Sequence, residues 1–214
     1  MTLLNLQKND LKEYYPIFDF DNTIINELDY IFPIFEESLT ESNFNGQQIG
    51  QLKQTFLDTY KHRGSLKIID HTLKGHDHPL DFLEIYLNNL RKHRSLENKL
   101  ACNLVFIEFV NSIYFTPDTV HIISNGNTKQ QQNKFRNTDF TPLKKEIKFH
   151  CAADYQPKPD PLSFKSIFSE KNKYLYIGDS DIDCEFAKNS GIDFLNIEKL
   201  ESLLDSWFRW LIVC

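Results

Sequence analysis

Three apolar runs of this chain end in acid, hydroxyl or amide groups, and a fourth segment supplies a lysine. Asp19 and Asp21 close the aromatic run Tyr14–Phe20, Ser124 and Asn125 close Val120–Ser124, and Asp179 and Asp183 follow Tyr174–Ile177. Lys158 stands before Pro159 in a proline-rich turn. Carboxylates brought together repel one another, and some take up protons. A hard divalent cation with oxygen ligands removes that conflict, and Mg2+ suits a few carboxylates plus a phosphate. Lys158 adds a fixed positive charge, while Ser124 and nearby backbone N–H groups can donate to phosphate oxygens. The set therefore matches a dianionic phosphoryl group held between a metal and a lysine. A carboxylate can attack phosphorus to give an aspartyl-phosphate. A second carboxylate two residues on can protonate the leaving oxygen and then activate water. Asp19 and Asp21 have that spacing.

These groups meet only if the runs that carry them are neighbours. Tyr14–Phe20, Val120–Ser124, Ile147–Cys151, Tyr174–Ile177 and Phe194–Ile197 read as short strands. Pro161–Ser169 and Asp183–Asn189 read as helices, the second stopped by Gly191. Strands alternating with helices imply a parallel α/β sheet, with ligands bound beyond the carboxyl ends of the strands. From about Ile24 to Arg94 no strand signal occurs. Glu27–Glu41 has helical spacing, with a kink or restart predicted at Pro33. Gln47–Lys61 reads as a second helix. Arg63–Pro79, polar and rich in His, predicts loops or short turns. Leu80–Arg91 is amphipathic, with Phe82, Leu83, Tyr86, Leu87 and Leu90 on one face. Ser95–Glu97 is read as the cap of a helix running to about Tyr114, on the spacing of Leu100, Leu104, Ile107 and Val110, with Cys102 in its core. The expected fold is α/β. A doubly wound parallel-sheet core of residues 1–24 and 95–214 is interrupted after its first strand by a small all-helical unit, residues 25–94.

In order, the segments resemble the four motifs of the haloacid dehalogenase superfamily. Asp19-Phe20-Asp21-Asn22-Thr23 is similar to its DxDxT signature and Ser124-Asn125-Gly126 to its second motif. Lys158-Pro159-Asp160-Pro161 is similar to the third, and Gly178-Asp179-Ser180-Asp181-Ile182-Asp183 to the GDSxxD form of the fourth. The helical insert resembles the C1-type cap of the phosphoglycolate-phosphatase-like subgroup. One departure is the short segment Ile113–Thr119, which lacks the usual glycine-containing turn. The resemblance implies a Rossmann-like core and a Mg2+-dependent phosphoric monoester hydrolase. Asp19 would be nucleophile and metal ligand, and Asp21 the general acid/base, reaching the metal through its backbone carbonyl. Thr23 would support that loop in a phosphate-binding group with Ser124, the Asn125 N–H and Lys158. Asp179 would ligate Mg2+, and Asp183 would orient metal-bound water or Lys158. The dehalogenases lack an acid where Asp21 stands, so its presence favours phosphate chemistry. Singly, each segment also fits a capped turn. Together and in order they outweigh that reading.

The rest of the sequence narrows the function by exclusion. A formal net charge of −6 argues against a broad surface for nucleic acid or anionic membrane. The four Cys fit neither a CxxC metal site nor a dense disulfide framework, so reduced thiols in a cytoplasmic protein are expected. Met1–Glu13 is polar and shows no leader pattern. The apolar tail Trp207–Cys214 is too short for a membrane span and is expected to dock on the core or to mediate a homodimer; monomer and homodimer both stand. His62, Arg63, Lys67, His71, Lys74, His76 and His78 form a polar cluster in the insert. Arg63 is its first candidate for gripping a carboxylate or second phosphate on a small phosphorylated metabolite. Two alternatives stand beside hydrolysis: phosphoryl transfer between sugar positions by a phosphoglucomutase-like mutase, and a non-catalytic interaction module.

Overall fold

The computed structural model describes residues 7–42, 44–76, 78–92, 94 and 96–205. The chain divides into two compact units, Met1–Asn26 with Ser95–Cys214, and Glu27–Arg94. In chain order it runs through β1 (Tyr14–Phe18), then α1 (Leu28–Glu41), α2 (Gly46–Arg63), α3 (Ile68–Thr72) and α4 (Phe82–Arg91). It continues with β2 (Leu100–Ala101), α5 (Leu104–Asn111), β3 (Thr119–Ser124), α6 (Thr128–Arg136), β4 (Thr138–Asp139) and β5 (Glu146–Cys151). Last come α7 (Leu162–Lys165), β6 (Lys173–Gly178), α8 (Asp181–Ser190), β7 (Asp193–Asn196) and α9 (Ile197–Asp205).

Five strands form a parallel sheet in the order β5-β3-β1-β6-β7. The chain steps from β1 to β3 to β5 on one side, then crosses to β6 and β7 on the other. The winding therefore reverses at β1, and the crevice beyond the ends of β1, β3 and β6 is where such a sheet binds ligands. β1 is covered on both faces, which is why its sequence is an unbroken apolar run. Successive side chains divide between those faces. Ile17 joins Ile123, Tyr176, Phe186 and Ala187, while Phe18 meets the edge of Phe106 at 4.9 Å between ring centroids. Pro16, unusual in a central strand, sits one residue before the β1–β3 ladder begins at Ile17.

The helical unit has its own core. Phe35 stacks on Phe56 at 4.3 Å and receives the edge of Phe82 at 5.9 Å. Asn89 joins α4 to α1 by donating to Ser38 Oγ at 3.1 Å and Glu41 Oε2 at 2.9 Å. Asn45 and Gln48 form a reciprocal capping box at the start of α2.

The α/β class and the helical insert agree with the sequence reading; several elements do not. α1 runs unbroken through Pro33. The polar stretch after Arg63 contains α3, held by buried Ile68 and Ile69. Leu83 lies off the buried face of α4 at 42% exposed. Among the described residues no single helix runs from 96 to 114: Leu100 and Ala101 form β2 against β4, and α5 starts only at Leu104, capped by Asn103. Cys102 is buried as expected, but on a bridge with Ile25. α7 covers four residues of the stretch read as helical from Pro161 to Ser169. α6 and α9 have no counterpart in the sequence reading. The cap expected at Ser95 and the tail Trp207–Cys214 lie outside the described residues. Among the described residues no helix is long and apolar enough to cross a membrane.

Candidate active site

The sequence places Asp19 one residue past β1, and the structure continues the sheet to it: its N–H donates to Ile177 O at 2.8 Å. The chain then curls back on itself. Asn22 takes a left-handed backbone (φ 57°), which Asn tolerates better than most residues, and its N–H donates to Ile25 O at 2.7 Å. Ile24 N–H returns to Phe20 O at 2.9 Å. This tight loop fixes where Asp21 points. Thr23 is fully buried beneath it, with no hydrogen-bond partner for its Oγ1.

Lys158 reaches the same place from the turn after β5. Its side chain is 3% exposed, and Nζ lies 2.6 Å from Asp19 Oδ1 and 2.6 Å from Asp183 Oδ1. Nζ also donates to Tyr176 Oη at 3.0 Å, and that hydroxyl donates in turn to Ile123 O at 2.9 Å. Burial alone would lower the lysine's pKa, but the charges of Asp19 and Asp183 outweigh it and hold the ammonium well above its ordinary value. Burial pushes Asp19 up, helped by the charge of Asp183 and opposed by Lys158. Asn125 clamps the lysine's backbone: Lys158 N–H donates to its Oδ1 at 2.7 Å, and its Nδ2 donates to Lys158 O at 3.0 Å. Ser124 is buried beside it, its Oγ donating to Asn125 O at 3.2 Å.

The fourth segment forms the start of α8. Ser180 caps the helix, and both its N–H (3.1 Å) and its Oγ (2.6 Å) donate to Asp183 Oδ2. With its other oxygen on Lys158, Asp183 is pinned at both ends. Asp179 is more open; partial burial and then the charge of Asp183 push its carboxyl up to about 6. Ligand oxygens of Asp19, Asp179 and Asp183 lie within 4.8 Å of one another. Asp181 is exposed in the first turn of α8, where a negative charge suits the helix dipole.

Gly178 is what lets Asp183 come this close. A Cβ there would lie 2.7 Å from Asp183 Cβ, Cγ and Oδ2. Gly178→Ala is therefore expected to destabilise the protein by about 1–3 kcal/mol through overpacking, and to lower turnover by displacing Asp183 from Lys158. Thermal unfolding and initial rates check this; a variant that melts and works as wild type would show that Asp183 moves freely.

Asp21 stands apart from the acidic trio. Its Oδ1 accepts from Lys134 Nζ at 2.7 Å and its Oδ2 from Gln131 Nε2 at 2.9 Å. Both donors come from α6, which the sequence reading missed, as it did Tyr176. Arg63 is exposed at the C-terminal end of α2.

Residues 16–197 match the family model described as haloacid dehalogenase-like hydrolase. No curated protein matches the chain. Among solved structures, the HAD-type protein YfnB of Bacillus subtilis, in a magnesium-bound form, superposes with a TM-score of 0.55 at 16% identity, covering 85% of this chain and 87% of its own. A Lactobacillus delbrueckii protein assigned as a phosphoglycolate phosphatase gives 0.52 at 16% identity, over 86% and 85%. A CbbY variant of Rhodobacter sphaeroides in complex with xylulose-(1,5)bisphosphate gives 0.53 at 12% identity, over 85% and 84%. At these identities the likeness is one of fold.

Proposed function

The chain belongs to the haloacid dehalogenase-like hydrolases, and we propose that within that family it is a Mg2+-dependent phosphatase acting on a small phosphate monoester. One observation carries this reading: Lys158 Nζ stands 2.6 Å from both Asp19 and Asp183 at the reversal point of the sheet. Asp19 is the nucleophile. It attacks phosphorus, the bond to the leaving oxygen breaks, and an aspartyl-phosphate remains. Asp21 gives a proton to the leaving oxygen and later takes one from the water that hydrolyses the intermediate. Lys158 holds positive charge against Asp19 and the phosphoryl oxygens, and Asn125 keeps the lysine's backbone in place. Ser124, the Asn125 N–H and the Thr23 loop complete the phosphate cradle.

The residues present fit a divalent cation. Carboxylate oxygens of Asp19, Asp179 and Asp183 lie within 4.8 Å of one another, three acids beside the single ammonium of Lys158. Asp19 and Asp179 would hold the ion with the Asp21 backbone carbonyl, while Asp183, its oxygens already taken, orients Lys158. Bound there, Mg2+ supplies the positive charge that a phosphate dianion requires beside the acids. Arg63 is the candidate for gripping the substrate's non-phosphoryl part, and a cytoplasmic setting suits the free Cys102, Cys151 and Cys184.

Free phosphate is expected from p-nitrophenyl phosphate and small sugar phosphates with Mg2+, and none with EDTA. An isomerised sugar phosphate without free phosphate would instead indicate a mutase. Mg2+ affinity, followed by calorimetry, is expected to hold above pH about 6 and to weaken below it as Asp179 takes up a proton. Failure to bind Mg2+ at pH 8 would refute the metal assignment.

A further inference from the structure

α6 carries no family motif, yet it holds both oxygens of the acid/base. Gln131 and Lys134 are three positions apart, on one face of the helix. Both are buried, Gln131 at 2% and Lys134 at 0% exposed. Lys134 is buried while the Asp21 side chain is 20% exposed, and an ion pair so placed is a poor way to gain stability, because removing the ammonium from water offsets most of the attraction. A plain structural tie between helix and loop is better made with apolar groups. Here one donor serves each carboxylate oxygen, which fixes the plane of the group as well as its position.

Two further features point the same way. Gln131 Oε1 is buried without a hydrogen-bond partner, so the amide keeps Nε2 on Asp21 and leaves its own acceptor unmet. Gly126 makes room for it: a Cβ at that position would lie 2.7 Å from Gln131 Nε2. The turn after β3 thus serves Asp21 as well as the phosphate cradle. Asn127 then starts α6 by accepting from Lys129 and Gln130 N–H, which sets the angle at which the two donors arrive.

We propose that Gln131 and Lys134 are positioning residues for Asp21, aiming its carboxylate at the leaving oxygen and the hydrolytic water without touching substrate. This rests on the phosphatase assignment above. The distinguishing readout is leaving-group dependence. A nitrophenolate departs with little help, whereas an aliphatic alkoxide needs the proton that Asp21 supplies.

The experiment measures kcat/KM for p-nitrophenyl, phenyl and alkyl phosphates with wild type, Lys134→Met and Gln131→Leu. Positioned general acid–base catalysis is worth about 10^2–10^4-fold. Lys134→Met is expected to lose roughly 10^2-fold more on the alkyl ester than on p-nitrophenyl phosphate. Gln131→Leu should shift the same way by less, and it carries the test if Lys134→Met does not fold. In an Asp21→Asn background, Lys134→Met should add no further leaving-group dependence. Equal losses on all three esters, or the same extra loss without Asp21, would overturn the assignment of Gln131 and Lys134 while leaving the phosphatase intact. A wild type that releases phosphate from none of the esters would overturn both.

Discussion

Replacing Asp19 with Asn is expected to reduce phosphate release by at least about 10^4-fold, the scale seen when a nucleophile is removed from a constellation that acts as a unit. The substitution keeps the shape of the side chain while removing its nucleophilicity and its charge. Folding should not suffer. Asp19 is buried, and both burial and the charge of Asp183 disfavour its ionised form, so a neutral amide relieves a conflict. Lys158 keeps Asp183 at 2.6 Å. The melting temperature without metal should therefore equal or exceed that of wild type, while Mg2+ affinity falls with the loss of a ligand. Initial rates with p-nitrophenyl phosphate, paired with melting curves, separate these effects. Turnover within a hundredfold of wild type would show that another group attacks phosphorus.

Most of this site was legible because its residues sit where strands end. An apolar run followed by a polar group identifies both the strand and the place where its end faces a ligand, and Asp19, Ser124 and Asp179 all follow that pattern. α6 was not legible, because its sequence inverts the usual signal. Thr128–Arg136 is polar apart from Phe135, and the side chains it buries include Gln131, Asn133 and Lys134. Hydrophobic periodicity finds helices that bury oil, and this one buries donors for Asp21. The segment before α5 failed for another reason. Leu100 N–H goes to Asn137 O at 2.7 Å and Asn103 N–H to Ile24 O at 2.6 Å, so partners remote in sequence claim a backbone whose side chains are spaced for a helix. Local spacing carries no trace of such partners. Tyr176 escaped notice because a strand tyrosine reads as core, and its position is indeed fully buried; only the neighbouring strand shows that its hydroxyl meets Lys158.

Lys158→Met should abolish turnover and also destabilise the protein, with a pH dependence that identifies the cause. The lysine is the cation between two buried carboxylates, and removing it leaves Asp19 and Asp183 facing each other with oxygens inside a 4.8 Å cluster. Breaking a buried pair by deleting one partner costs about 3–5 kcal/mol, which for a chain of this size corresponds to a fall in melting temperature of roughly 10 °C. The sign of the pH dependence follows from the direction of the carboxyl shifts. Asp19 already lies above its ordinary value, and losing Lys158 removes the interaction that pulls it down. A carboxyl whose folded-state pKa is raised is best tolerated at low pH, where it is protonated in the native protein, and that stability is lost as pH rises through the folded-state value. The variant's deficit should therefore be small in acid and grow towards neutral pH. Mg2+ should recover part of it, raising the melting temperature of the variant more than that of wild type, because the cation restores positive charge beside Asp19. Melting curves at pH 5 and pH 8, each with Mg2+ and with EDTA, contain the whole test. A deficit that does not change with pH would mean that Lys158 stabilises the core by packing rather than by charge, and the electrostatic account of this site would fall with it.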